Sequence, residues 1–170
     1  NKSSQEKKVM TDKEYIDGEW WEKEEWEMLA DETEQVKLKD GYEPPIHDFF
    51  ISDSDGNDRT QELLSADKIV LMIAYDIRKT DDDAMIEVNR LAEQIQNSGI
   101  PFVALTSAVY KDVEDFKHTH QTLFDFWSAD AIMLKTTIRS NPGIIVLKKG
   151  VVLGKYHCND IPAFEVIEGL

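Results

Sequence analysis

The chain has 170 residues, 41% of them hydrophobic and 31% charged, which is enough apolar matter for one folded domain with a short extension. Its formal net charge is −15, which excludes nucleic acid as a partner and argues against direct contact with anionic membrane surfaces. A single cysteine, Cys158, excludes an internal disulfide and any two-thiol redox centre.

Residues 1–40 read as an acidic, tryptophan-rich extension, with residues 41–170 as the main domain. Asp12 to Glu34 holds eleven Asp/Glu against two Lys, together with Trp20, Trp21 and Trp26. Thr11-Asp12-Lys13-Glu14 fits a capping box, predicting a short helix over 11–17 that Gly18 ends. Strands are expected near 25–30 and 35–38. The tryptophans suit either a covered flank of the main domain or a docking face.

Pro44-Pro45 breaks the chain, since two prolines remove two backbone donors. Ile46 to Ile51 reads as a strand and Asp53 to Asp58 as a tight turn. That turn resembles a calcium loop in part, but Ile51 stands where the first carboxylate is needed. Thr60 is expected to cap a short helix containing Leu63 and Leu64. Lys68 to Tyr75 is an unbroken apolar run, as a strand buried on both faces requires. The longest apolar run, Ile69 to Tyr75, is far short of the ~20 residues of a membrane helix.

Met85, Val88, Leu91, Ala92 and Ile95 recur at helical spacing and predict a helix over about 80–98. Thr80 or Asp81 caps it, and Gly99 follows its end. Pro101 to Thr106 reads as a second buried strand. A helix is expected over 111–121, with Val113 and Phe116 inward, then a short strand at Phe124 to Trp127. Asp130 caps a helix through Ile138. Gly143 to Leu147 and Val151 to Tyr156 form a hairpin about Lys149-Gly150. Asp160 and Pro162 are expected to start a last helix. The alternation implies an α/β fold, its central sheet mostly parallel with an antiparallel hairpin edge and helices on both faces.

Three stretches carry a resemblance. "DFFISDSDGNDRTQELL" resembles the leader of the thiol-peroxidase and TlpA-like branch of the thioredoxin family. "KIVLMIAYD", a helix and "IPFVALT" resemble its β-α-β unit. "SNPGIIVLKKGVVLGKY" resembles its cis-proline loop and hairpin. The resemblance implies a thioredoxin-like mixed sheet, with Pro142 as the cis proline. "GYEPPIHDF", "LKTTIRSNPG" and the preceding "W…W" segment resemble the soluble C-terminal region of bacterial DoxX-type membrane proteins. That likeness implies a transmembrane partner region in the same polypeptide, placing the full protein in the bacterial inner membrane with this domain soluble and periplasmic. The chain opens on Asn1 and is expected to be a processed product or a fragment of something longer.

The family's Cys-x-x-Cys would follow the first core strand, at a helix N-terminus that activates a thiol. Here that stretch reads Ala74-Tyr75-Asp76-Ile77-Arg78-Lys79-Thr80-Asp81. The expected function is therefore a non-catalytic binding or interaction domain for an unknown protein or small molecule. The alternative is a redox or thiol-transfer protein using Cys158 alone.

A hairpin turn at Lys149-Gly150 places Gly143 roughly opposite His157 and so brings Cys158, Asn159 and Asp160 near Asn141 and Pro142. The candidate binding edge is Tyr75, Asp76, Arg78, Asn141, Pro142, His157 and Cys158, at the strand end where α/β sheets hold ligands. The plainer reading has Asp160 capping the last helix, Pro142 turning the chain and Cys158 filling core. No cofactor and no metal are expected: of His47, His118, His120 and His157, His118 and His120 are two apart and diverge on a helix, so zinc would need long-range convergence with Cys158.

Overall fold

In the computed structural model of the protein, residues 1–29 and 49–170 are described. The chain divides into two compact units, Asn1–Glu43 and Pro44–Leu170. In the first, α1 spans Asp12–Asp17 behind the expected capping box. Glu14 N–H donates to Thr11 Oγ1 at 3.2 Å, and Thr11 N–H donates to Glu14 Oε2 at 2.8 Å. The Thr11 backbone donor holds the Glu14 carboxyl below its ordinary pKa.

Gly18 ends the helix, and Trp20–Glu22 forms a 3-10 turn. Trp20 meets Trp26 edge-on at 5.2 Å, and Lys23 Nζ sits 3.7 Å from the Trp20 ring centroid. Residues 25–29 carry no strand, contrary to expectation. Trp26 N–H donates to Lys23 O at 2.9 Å, so the chain turns back to seat Trp26 on Trp20 instead of extending. The strand expected at 35–38 and the Pro44-Pro45 break lie outside the described residues.

The second unit is a six-stranded sheet built on three strands with no polar position in their centres. The strands are β1 (Ile51–Ser52), β2 (Ile69–Ala74), β3 (Phe102–Thr106), β4 (Asp125–Ala129), β5 (Gly143–Lys148) and β6 (Val151–His157). Their order is β1-β4-β3-β2-β5-β6. Val70, Met72 and Ala74 of β2 enter one core with Met85, Val88, Leu91, Ile95, Val113, Phe116 and Ile167. Ile69, Leu71 and Ile73 enter a second core with Leu63, Met133 and Leu134. Two-sided burial is why β2 reads as a continuous apolar run.

The first face is covered by α3 (Asp82–Asn97), α4 (Tyr110–His120) and α6 (Phe164–Glu168), the second by α2 (Thr60–Ser65) and α5 (Ala131–Thr137). Asp81 caps α3 by accepting from Ala84 N–H at 2.8 Å, and Asp130 caps α5 by accepting from Ile132 and Met133 N–H. Gly99 sits just past α3 at φ +81°, a left-handed angle that favours glycine.

Four details depart from the sequence reading. The sheet is mixed, as the thioredoxin resemblance implies, but its parallel part is smaller than the strand–helix alternation implies: β2–β3 and β3–β4 are parallel, β5 returns antiparallel beside β2 and β1 lies antiparallel to β4. The leading strand begins only at Ile51, and the turn anchored on Asp53 ends it two residues later; 46–48 lie outside the described residues. Thr60 is inside α2 rather than its cap, since its Oγ1 accepts from Ile51 N–H at 3.0 Å. Asp160 does not start α6; it closes a 3-10 turn at Cys158–Asp160, and Ala163 precedes the helix.

Antiparallel pairing aligns the site. Ile73 pairs with Gly143, and Gly143 with His157, so one cross-strand row links β2, β5 and β6. The residues just beyond that row therefore converge at one edge of the sheet.

Candidate functional site

Three chain segments meet at that edge: Tyr75 to Asp81 after β2, Ser140 to Pro142 before β5, and His157-Cys158 at the end of β6. They enclose a cleft of about 640 Å³ lined by Tyr75, Asp76, Lys79, Thr80, Asp81, Lys135, Arg139, Ser140, Asn141, His157 and Cys158. The Asn141-Pro142 peptide is cis.

Local hydrogen bonds build the walls. Asn141 Nδ2 donates to Asp76 O at 2.8 Å, and Asp76 N–H donates to Asn141 Oδ1 at 3.3 Å. Ser140, fully buried, donates its Oγ–H to Pro142 O and accepts from Cys158 N–H at 2.8 Å. Ser107 Oγ donates to Tyr75 O at 2.9 Å, tying the end of β3 to the same strand end. The loop is thus bonded to both strands that flank it, and its polar groups are satisfied in the way buried polar groups require.

Electrostatics divide the cleft. Lys79 Nζ lies 3.0 Å from Asp76 Oδ2, and this hydrogen bond, with the charge behind it, lowers the Asp76 pKa from its ordinary value. Asp81 is engaged as the α3 cap. Lys135 Nζ stands 5.6 Å from the Tyr75 ring centroid. Cys158 is half-buried, with Sγ 3.3 Å from His157 Nδ1, which also accepts from Asn159 N–H at 3.2 Å.

Of the residues expected at this edge, Tyr75, Asp76, Asn141, His157 and Cys158 line the cleft. Pro142 is buried beneath it, and Cys158 is a wall residue rather than core filling. Arg78 turns away: its guanidinium pairs with Asp112 of α4 at 2.6 Å, which raises its pKa. It lies in a neighbouring groove with Phe116 and His120.

Sequence reading does not single out Lys79, Lys135, Arg139 or Ser140. Their one signal is that Lys135, Arg139 and Ser140 fall within seven residues of Pro142 in a strongly acidic chain.

Elsewhere, Asp53 spends its carboxylate on Asp55 and Asn57 N–H, Asn57 Nδ2 and Arg59. Those donors would have to be displaced before a cation could bind there. Among the described residues no group of three His, Cys, Asp or Glu is placed to hold a metal, and no helix is long and apolar enough to cross a membrane.

No family model matches the chain, and no curated protein matches it. Solved structures do. BsSco, a member of the Sco family of cytochrome c oxidase assembly proteins, is 11% identical with a TM-score of 0.55, over 71% of this chain and 87% of its own. A thiol-disulfide oxidoreductase from Bacteroides fragilis is 17% identical with a TM-score of 0.53, over 71% and 92%. StoA from Bacillus subtilis is 13% identical with a TM-score of 0.52, over 74% and 98%. At such identities the likeness establishes the fold, and the fold of residues 49–170 is thioredoxin-like.

Proposed function

We propose that this chain is a non-catalytic thioredoxin-like binding domain, the soluble periplasmic tail of a DoxX-type membrane protein, and that the cleft at the Asn141-Pro142 loop is its binding edge. The observation that carries the reading is the turn after β2. It is filled by Asp76-Ile77-Arg78-Lys79, with Asp76 clasped by Asn141 and paired with Lys79. A cycle of disulfide exchange within one protein uses two thiols, and this chain has one. What stays intact is the architecture around the turn: a strand end, a cis-proline loop and a hairpin end that frame an open cleft.

The test of the biochemical half is insulin reduction by the purified domain with dithiothreitol, expected at the no-protein rate. Turnover above that rate that disappears in Cys158→Ala would overturn the reading. It would install the second one, single-thiol transfer, which the 3.3 Å approach of His157 Nδ1 to Cys158 Sγ favours. The test of the membrane half is the upstream reading frame, where a hydrophobic stretch of about 20 residues is expected and its absence refutes the anchor. A reporter fused after Leu170 in the full-length protein checks the periplasmic side.

A further inference from the structure

The chain has four arginines, all within the described residues. Three are taken by carboxylates: Arg59 by Asp53 and Glu62, Arg78 by Asp112, and Arg90 by Glu87. Arg139 alone has no hydrogen bond or ion pair among the described residues, and it lines the cleft. In a chain with 34 Asp and Glu, an arginine left without one is the exception.

The other cleft charges sharpen the point. Lys79 is neutralised by Asp76, and Asp81 is spent on capping α3. Lys135 faces the Tyr75 ring and has no carboxylate partner among the described residues. Two cations, Lys135 and Arg139, therefore have no carboxylate partner among the described residues, and set against the Asp81 carboxylate they leave the cleft lining with a net positive charge.

We propose that the cleft binds a carboxylate, the terminal carboxylate of a peptide chain, with Arg139 as its fork and Lys135 as the second charge. The inference rests on the proposed binding edge and names the chemistry of its ligand. A planar guanidinium presents two parallel N–H donors that match a carboxylate, which a lysine cannot do. A single negative charge fits better than a dianion, because the Asp76 and Asp81 carboxylates also face the cleft and the chain as a whole is at −15. At physiological ionic strength that distant charge is screened beyond about 8 Å, so the local cations decide. The carboxylate lies beside the Asn141-Pro142 loop and the β6 end, where the rest of an extended peptide has a strand end to follow.

The probes are acetyl-Gly-Gly with a free carboxylate, its C-terminal amide, and inorganic phosphate, titrated into the whole chain. The readout is the nitrogen–proton shifts of the Arg139 Nε–H, the Asn141 side-chain amide and the Cys158 amide. The free acid is expected to give saturable shifts and to bind about tenfold more tightly than the amide. Arg139→Gln, an exposed change that leaves the cores untouched, should erase the difference, and Lys135→Gln should reduce it.

Acid and amide binding equally at these residues, with Arg139→Gln silent, overturns the carboxylate while leaving the binding edge standing. No shift with either peptide overturns both. Phosphate binding more tightly than the free acid overturns the choice of carboxylate over other oxyanions.

Discussion

Asn141 and Asp76, 65 residues apart in sequence, hold each other by a reciprocal pair of hydrogen bonds. The Asn141 side chain substitutes for a missing strand neighbour: it takes the Asp76 N–H and feeds the Asp76 carbonyl just where β2 leaves the sheet. One amide thus satisfies two backbone groups and sets the distance between the cis-proline loop and the turn after β2.

Replacing that amide should be costly. Asn141→Ala strands the half-buried Asp76 N–H and removes one donor from the Asp76 carbonyl, which keeps Lys79 N–H, and is expected to lose about 1–3 kcal/mol of unfolding free energy. Asn159→Ala, at an exposed neighbour, is expected to stay within about 0.5 kcal/mol. Urea midpoints of the two variants make the comparison, and equal midpoints would show that the clasp is not structural.

Gly143 tests the same loop by crowding it. A Cβ there would lie 2.5 Å from Ile138 Cδ1 and 3.1 Å from Ser140 Cβ. The Ile138 methyl can swing away, but Ser140 is held by its bonds to Pro142 and Cys158. Gly143→Ala should therefore cost about 1–3 kcal/mol and move the amide resonances of Ser140 and Cys158. An unperturbed spectrum in this region would contradict the packing described.

Helix α5 offers a paired test. Leu134 is fully buried in the second core, whereas Ile132, two positions earlier, is 69% exposed. Leu134→Ala is expected to cost about 2–5 kcal/mol through the lost burial and the cavity it leaves. Ile132→Ala should change stability by no more than about 0.5 kcal/mol. Thermal melts read both, and a reversal of their order would place α5 wrongly on the sheet.

These contrasts also mark what the sequence makes legible. β2, β3 and β5 are recognisable because burial on both faces leaves no polar alternation to confuse with a surface strand. The β5–β6 hairpin is legible from Lys149-Gly150, but that two-residue turn alone would set Gly143 opposite Tyr156; a bulge at Val146–Leu147 shifts the register by one residue, and Gly143 opposes His157. From that register five residues of the cleft could be brought together.

Sequence adjacency places Arg78 among them, but a 3-10 turn at Ile77–Lys79 rotates it toward α4. Sequence reading does not reach Lys135 and Arg139, because their approach depends on how α5 packs across the sheet, which no local pattern encodes. The antiparallel return of β5 is implied by the family resemblance alone, since a buried strand has the same composition whichever way it runs.

The Asp53 turn predicts a pH dependence. Asn57, first among its donors, together with Arg59 and Asp55, holds the Asp53 carboxyl down to a pKa of about 2 from an ordinary 3.8. A carboxyl whose folded pKa is depressed binds its proton less readily folded than unfolded. Its contribution to stability is therefore complete above the unfolded value, declines as pH falls below about 4, and is lost once pH passes through about 2.

Asp58 and Asp76 are also lowered and add to the same acid limb. Asp53→Asn keeps an oxygen for the turn amides but cannot titrate or pair with Arg59. It should be less stable than the parent at neutral pH and show a shallower loss between pH 4 and 2. Urea midpoints measured across that interval decide it: parallel slopes for parent and variant would mean that Asp53 is not held in the turn by the bonds described.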